Sequence, residues 1–171
     1  MRKKSHLSLA GYIVDVVDAD MIDHPLAFRF GSLEPDLVPT FITTKHRIDL
    51  TFHKLEKKIN KVIDEYDKNK GMTIGLSKDL GVITHYIADY FTYPHNSHYP
   101  GNIKDHCHYE NHLKHGLRAY IRSGEAVFGG AGYKRSFSTV DEMLEYIQEA
   151  HEEYMKQPGS VENDCKYITT V

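Results

Sequence analysis

The sequence predicts an all-α fold, a compact bundle of about five helices. Two observations carry that expectation: apolar residues recur at three- and four-residue spacing in successive segments, and proline- and glycine-bearing stretches separate those segments. A third observation points to what the bundle holds. His85 and Asp89 stand four residues apart, as do His106 and Glu110, so each pair projects from one helix face, with Pro94-His95 between the pairs.

In chain order, Leu9, Ile13, Val16 and Val17 predict a first helix over residues 5–20, with Ser5 as its N-cap. Residues 23–43 contain Pro25, Gly31, Pro35 and Pro39 and read as an irregular, buried loop. From Thr44 to about Lys68, Ile48, Phe52, Leu55, Ile59, Val62 and Ile63 give a long amphipathic helix that Gly71 and Gly75 terminate. The next helix is expected from about Ser77 to Phe91, stopping near Tyr93 because Pro94 disfavours a helical residue before it. A polar link with Pro100 and Gly101 leads to a helix from about Lys104 to Arg122, then a turn at Gly129, Gly130 and Gly132. Thr139 caps a last helix through about Met155, and the tail from about residue 158 carries too little pattern to assign.

The 171 residues, 40% hydrophobic and 26% charged, suit one domain spanning 1–171. With a net charge of -3 and no long basic stripe, the composition gives no electrostatic case for duplex nucleic acid. Cys107 and Cys165 are too few for a disulfide framework, so a reduced, cytoplasmic setting is expected. The basic N-terminus and the apolar run to Val14 imitate a signal peptide, but Asp15, Asp18 and Asp20 interrupt it and no small-residue cleavage site follows. No segment reaches the roughly 20 apolar residues of a membrane span.

Histidine is concentrated: of 12, seven (His85, His95, His98, His106, His108, His112 and His115) fall between residues 85 and 115. Neutral imidazole with carboxylate is a ligand set that suits Zn²⁺, and a catalytic zinc keeps a position open for water. A lone histidine is more often a solvated or hydrogen-bonded core residue, which is the reading for His24, His53, His98 and His151. Spacing alone leaves one choice open. His108 and His112 are also four apart and His115 extends their row; His106 and Glu110 are preferred because they add a carboxylate and start near His95.

The string His85-xxx-Asp89-xxxxx-His95, then His106-xx-Tyr109-Glu110-Asn111, resembles the metal-binding core of the bacterial zinc-dependent phospholipases C, whose all-α fold is shared with single-strand nucleases. Ser5-His6-Leu7 is similar to that family's N-terminal ligand setting, Asp36 to its loop aspartate, and His46 in Thr-Lys-His to the ligand opening the next helix. The resemblance implies two or three zinc ions: Asp36, His46, His85 and Asp89 on one, His95, His106 and Glu110 on a second, and His6 with bridging Asp89 and the chain's own N-terminal amine on a third. It also implies that Asp36 doubles as proton acceptor for the attacking water.

The chain departs from the family in four respects. It has no Trp to stand at the N-terminus, and it is shorter than the secreted enzymes. Leu37, not an aromatic residue, follows Asp36, and Arg2, Lys3 and Lys4 replace an acidic residue that faces choline. Choline selectivity is therefore unsupported. The expected function is a metal-dependent phosphoric ester hydrolase acting on a small phosphoester or phospholipid headgroup, with no transmembrane segment. The competing expectation is a non-catalytic metal-binding or headgroup-binding module on the same fold. Single-stranded nucleic acid would need stacking platforms and a basic groove, and no such groove is visible in the sequence.

Overall fold

The computed structural model describes residues 1–17, 21–38, 46–126 and 135–171. Among them are seven α-helices and no strand: α1 Lys3–Val16, α2 Pro25–Gly31, α3 Ile48–Glu65, α4 Ile74–Tyr90, α5 Ile103–Ser123, α6 Val140–Met155 and α7 Val161–Thr170. Short 3₁₀ turns, Glu34–Asp36 and Tyr93–His95, follow α2 and α4. Asp18, Asp20, Pro39, Thr44 and the turn glycines Gly129, Gly130 and Gly132 lie outside the described residues.

α4 is the axis of the bundle, as its composition dictates: Leu76, Val82, Ile83, Ala88 and Tyr90 bury apolar surface, while Ser77, Asp79, His85 and Asp89 are buried polar residues. A helix buried on most sides needs partners around it. α2 and α3 pack on α4, α1 runs beside α2 and α5, and α7 lies on α5. One apolar cluster joins Leu9, Leu55, Ile59, Ile83, Tyr90, Phe91, Leu113, Leu117, Ile147, Tyr154 and Ile168 across six of the helices.

The helix ends follow their local chemistry. Thr73, Thr139 and Ser160 cap α4, α6 and α7 through their hydroxyls, and Asn102 with Asp105 forms a reciprocal capping box on α5. Gly124 closes α5 in the left-handed region at φ 77°. The α4 end stops at Tyr90, before Pro94, because Asn96 Nδ2 donates to the carbonyls of Tyr90 and Thr92. His151, buried on α6, donates from Nε2 to Asn96 Oδ1 at 2.8 Å, so this histidine is a core hydrogen-bonding residue. Burial pushes its pKa down to about 4.

Several expectations are corrected. The N-cap of α1 is Arg2, whereas Ser5 lies inside the first turn, fully buried. The stretch expected to be an irregular loop contains α2, because Pro25 at the first helical position starts a helix as well as it ends one. The tail is not unstructured: α7 spans Val161–Thr170, buries Cys165 and Ile168, and its Asp164 accepts hydrogen bonds from three elements. Its weak apolar pattern hid it, since a buried carboxylate occupies the inward face.

Two glycines let α2 cross α4 at backbone contact. A Cβ on Gly31 would fall 1.9 Å from the Lys78 carbonyl oxygen, and one on Gly81 would fall 2.1 Å from the Phe28 carbonyl oxygen. Lys78 also bonds Glu34 at 2.9 Å, fastening the 3₁₀ turn that carries Asp36. On the other flank, Lys58 and Lys61 of α3 converge on buried Asp79 at 2.8 and 2.7 Å. Gly81→Ala is expected to force α2 off α4 and destabilise the fold by about 2 kcal/mol or more. Thermal unfolding checks this, and an unchanged midpoint would show that the close crossing is not a constraint.

Candidate metal centre

α4 presents His85 and Asp89 one turn apart, both wholly buried, and the neighbouring elements deliver the remaining donors to them. His85 Nδ1 donates to the Ser32 carbonyl at 2.9 Å. That bond fixes the tautomer and leaves Nε2 as a lone pair, the arrangement that orients ligating histidines. His85 Nε2 then faces His46 Nδ1 at 3.0 Å and Asp89 Oδ2 at 3.3 Å, while His46 Nδ1 is 2.9 Å from the same oxygen. Asp36 Oδ1 completes the group at 3.9 Å from His46 and 4.0 Å from His85. From α1, His6 stacks on His85 with ring centroids 3.9 Å apart and brings Nε2 to 3.4 Å from Asp89 Oδ1.

The second group lies on the other side of Asp89. His95, in the turn after α4, sets Nδ1 3.4 Å from Asp89 and Nε2 3.2 Å from Glu110. His106 Nε2 is 3.1 Å from the same Glu110 oxygen, one helical turn away on α5. The amine of Met1 enters between the groups, bonding Asp89 Oδ1 and lying 3.1 Å from His95 Nε2 and 3.4 Å from Glu110. All eight residues singled out in the sequence therefore come together: His6, His46, His85 and His95 surround Asp89, Asp36 joins beside His46 and His85, and Glu110 with His106 joins through His95. His108, His112 and His115 point away on the exposed face of α5.

Electrostatics follow from this crowding. Burial opposes charge on Asp89, yet His95, the Met1 amine, His85 and His6 hold its carboxyl well below the ordinary range. Burial likewise works against Glu110, whose carboxyl is held low by hydrogen bonds from His106 and His95. Burial, with His85 alongside, takes His6 down to about 3, so both its ring nitrogens are uncharged near neutral pH. Asp36 moves the other way, raised by burial and by the nearby charge of Asp89.

The residues fit a divalent cation. Both ring nitrogens of His6 are buried without a hydrogen-bond partner, a costly arrangement for a neutral imidazole that a metal bond would relieve. Three sets of donor atoms each lie within 4.8 Å of one another: His6, His85 and Asp89; Asp36, His46 and His85; His95, His106 and Glu110. Imidazole and carboxylate with no thiolate is borderline-hard donor chemistry, suited to zinc.

Two supports escaped the sequence reading. The Ser32 carbonyl carries no sequence signal, because any residue offers one. Asp164, fully buried on α7, accepts from the Tyr93 N–H at 3.0 Å, the Tyr109 hydroxyl at 3.0 Å and the Tyr154 hydroxyl at 2.7 Å. Tyr93 is two residues before His95 and Tyr109 is one before Glu110, so this single carboxylate ties both halves of the second group to the C-terminal helix.

A model of the zinc-dependent phospholipase C family matches residues 5–161 of the chain. No curated protein and no solved structure matches it significantly. The family's zinc dependence and the donor clusters together support zinc binding. No helix among the described residues is long and apolar enough to cross a membrane.

Burial raises the Asp164 carboxyl to about 6, against the pull of its three hydrogen bonds. Because the folded chain holds this proton more tightly than the unfolded one, the contribution of this carboxyl to stability is expected to fall as pH rises from about 4 through about 6, by on the order of 3 kcal/mol. Urea unfolding at pH 4 and pH 7 should show the native chain losing about that much stability relative to Asp164→Asn. Equal slopes in the two chains would contradict it.

Proposed function

The chain belongs to the zinc-dependent phospholipase C family, and on that premise we propose that it is a zinc-dependent phosphoesterase that hydrolyses a phosphodiester or phosphomonoester with water as the attacking group. The observation that carries this reading is Asp89, a carboxylate with no exposed surface, contacted by His6, His46, His85, His95 and the Met1 amine. On this reading Asp36, His46, His85 and Asp89 hold one zinc, His95, His106 and Glu110 a second, and His6, Asp89 and the Met1 amine a third. Zinc, when bound, supplies a Lewis acid that acidifies water and offsets charge on a phosphoryl oxygen.

The chain's own residues divide the remaining work. Asp89, His6 and His85 form a dry floor, whereas Asp36 and His106 keep side chains 17% and 26% exposed and border solvent. Substrate therefore enters from the side of Asp36 and His106. An Asp36 oxygen accepts a proton from water as the water oxygen bonds to phosphorus. The phosphorus–oxygen bond to the leaving group breaks, and the proton passes to the departing oxygen. Ser32, by holding His85 through its carbonyl, is a positioning residue. Leu37, 49% exposed beside Asp36, offers no aromatic face to a quaternary ammonium, so the substrate is a small phosphoester or a headgroup selected without cation–π contact.

Zinc-loaded protein is expected to hydrolyse bis-p-nitrophenyl phosphate or p-nitrophenyl phosphate, and Asp89→Asn to lose both activity and at least one zinc by elemental analysis. Wild-type hydrolysis no faster than that of Asp89→Asn would sink the enzymatic reading and favour a non-catalytic metal-binding module. Asp36→Asn should lower kcat by about 100-fold or more, the contribution of a general base. A kcat within a few-fold of wild type would remove Asp36 from that role.

A further inference from the structure

The fold gathers positive charge that the sequence scatters. α1 and α5 pack side by side. Along their shared outer surface stand Arg2, Lys3 and Lys4 from the start of α1, and Lys104, Lys114, Arg118 and Arg122 from α5. These are seven of the chain's 21 Lys and Arg, on a protein whose net charge is -3. Among the described residues none of the seven forms an ion pair with a carboxylate. Arg2 instead donates to the Cys107 carbonyl at 2.9 Å and to Asn111 Oδ1 at 3.3 Å, Lys114 donates to that same Asn111 oxygen at 3.0 Å, and Arg118 donates to Ser8 Oγ at 3.0 Å.

Two cations sharing one neutral acceptor is an arrangement with no internal counter-charge. Helical spacing places His108, His112 and His115 on the same outward side of α5, and the outward stripe from Lys104 to Arg122 carries no acid: Asp105 is turned to the N-cap, and Glu110 faces the metal centre. Asp15, exposed near the end of α1, and Glu125, exposed after α5, border this face at its far end, and other acidic groups lie on α6 and α7.

Two exposed apolar residues sit within this charge. Leu7, 41% exposed, lies on α1 one turn after Lys3 and Lys4, and Ile103, 77% exposed, precedes Lys104. Lysines flanking isolated apolar side chains on a helical surface are the pattern of an interfacial contact with a lipid leaflet. A single-stranded nucleic acid would call for aromatic platforms, and the described residues of this face present none among their exposed side chains. The upper end of the face is Arg2, next in the chain to Met1, whose amine lies within the metal centre.

We propose that the α1–α5 face is a docking surface for an anionic lipid bilayer, with adsorption driven by charge and assisted by Leu7 and Ile103. This goes beyond the hydrolytic reading, because adsorption requires no turnover and can be measured on vesicles whether or not they are cleaved.

The test is flotation of the zinc-loaded full chain with vesicles of phosphatidylcholine alone and with vesicles containing about 30% phosphatidylserine, which set up a negative surface potential. Binding is expected only to the second, and should be lost at about 0.5 M NaCl, where exposed charges are screened. Each basic side chain at an anionic leaflet raises partitioning about fivefold, so the triple variant Lys4→Glu, Lys104→Glu, Arg122→Glu should bind at least about 100-fold more weakly. The control is Lys54→Glu, Lys57→Glu, Lys68→Glu, an equal change of charge on the exposed side of α3 and the segment after it, which should bind within about threefold of the native chain. Circular dichroism confirms that both variants fold; if the first does not, the single variant Lys4→Glu should still show about a fivefold or greater loss. Equal binding to the two vesicle types, an unaffected face variant, or equal losses in both triple variants would overturn the proposal. So would tighter binding of a single-stranded oligonucleotide than of the anionic vesicles at the same salt, which would assign the face to nucleic acid.

Discussion

The structure is organised by the need to accommodate one buried carboxylate. Asp89 has no exposed surface, and an isolated carboxylate in that setting carries a desolvation penalty of several kcal/mol. The fold answers by surrounding it with four imidazoles and an amine drawn from α1, the residues before α3, α4 itself and the turn after α4. A protein interior rarely concentrates so many polar nitrogens. His6 shows why this one is incomplete as a purely structural network, since both its ring nitrogens lack hydrogen-bond partners. The natural occupant of such a space is a cation that accepts nitrogen and oxygen donors together, in keeping with the family's zinc dependence.

Precision at the centre is set by backbone and by distant side chains. The absence of a Cβ on Gly31 and Gly81 allows α2 to approach α4 closely enough for the Ser32 carbonyl to reach His85. The tautomer of a central histidine thus depends on a helix crossing. In the same way Asp164 reaches from α7 to the residues flanking His95 and Glu110, and Asn96 couples the end of α4 to His151 on α6. The elements that carry no proposed ligand hold the ones that do.

How much of this was legible in the sequence depended on the kind of signal. α3, α5 and α6 announced themselves by apolar spacing, and the i, i+4 pairs on α4 and α5 gave the donors because a helix repeats nearly every four residues. α2 was hidden because Pro25 reads equally as a helix start and as a loop residue, and α7 because its inward face is built on Asp164 and Cys165 rather than a row of large apolar residues. The basic surface was invisible for a different reason. Its charges come from residues 2–4 and 104–122, and only the pairing of α1 with α5 makes them one patch. A linear scan for a basic stripe finds nothing to count.

The tie between Asp164 and the centre also has a temporal meaning. His6 leaves the ribosome 158 residues ahead of Asp164, whose carboxylate secures the His95 turn and α5. At ordinary synthesis rates the 54 residues from Glu110 to Asp164 take about 3 to 11 s to appear. Through that interval the imidazoles of α1 and α4 exist without the clamp that aligns their counterparts, and contacts this remote in sequence close late in folding. The centre is therefore a reporter of completion: a chain whose synthesis stops before α7 would carry every proposed donor side chain and still lack the support that aims the second group.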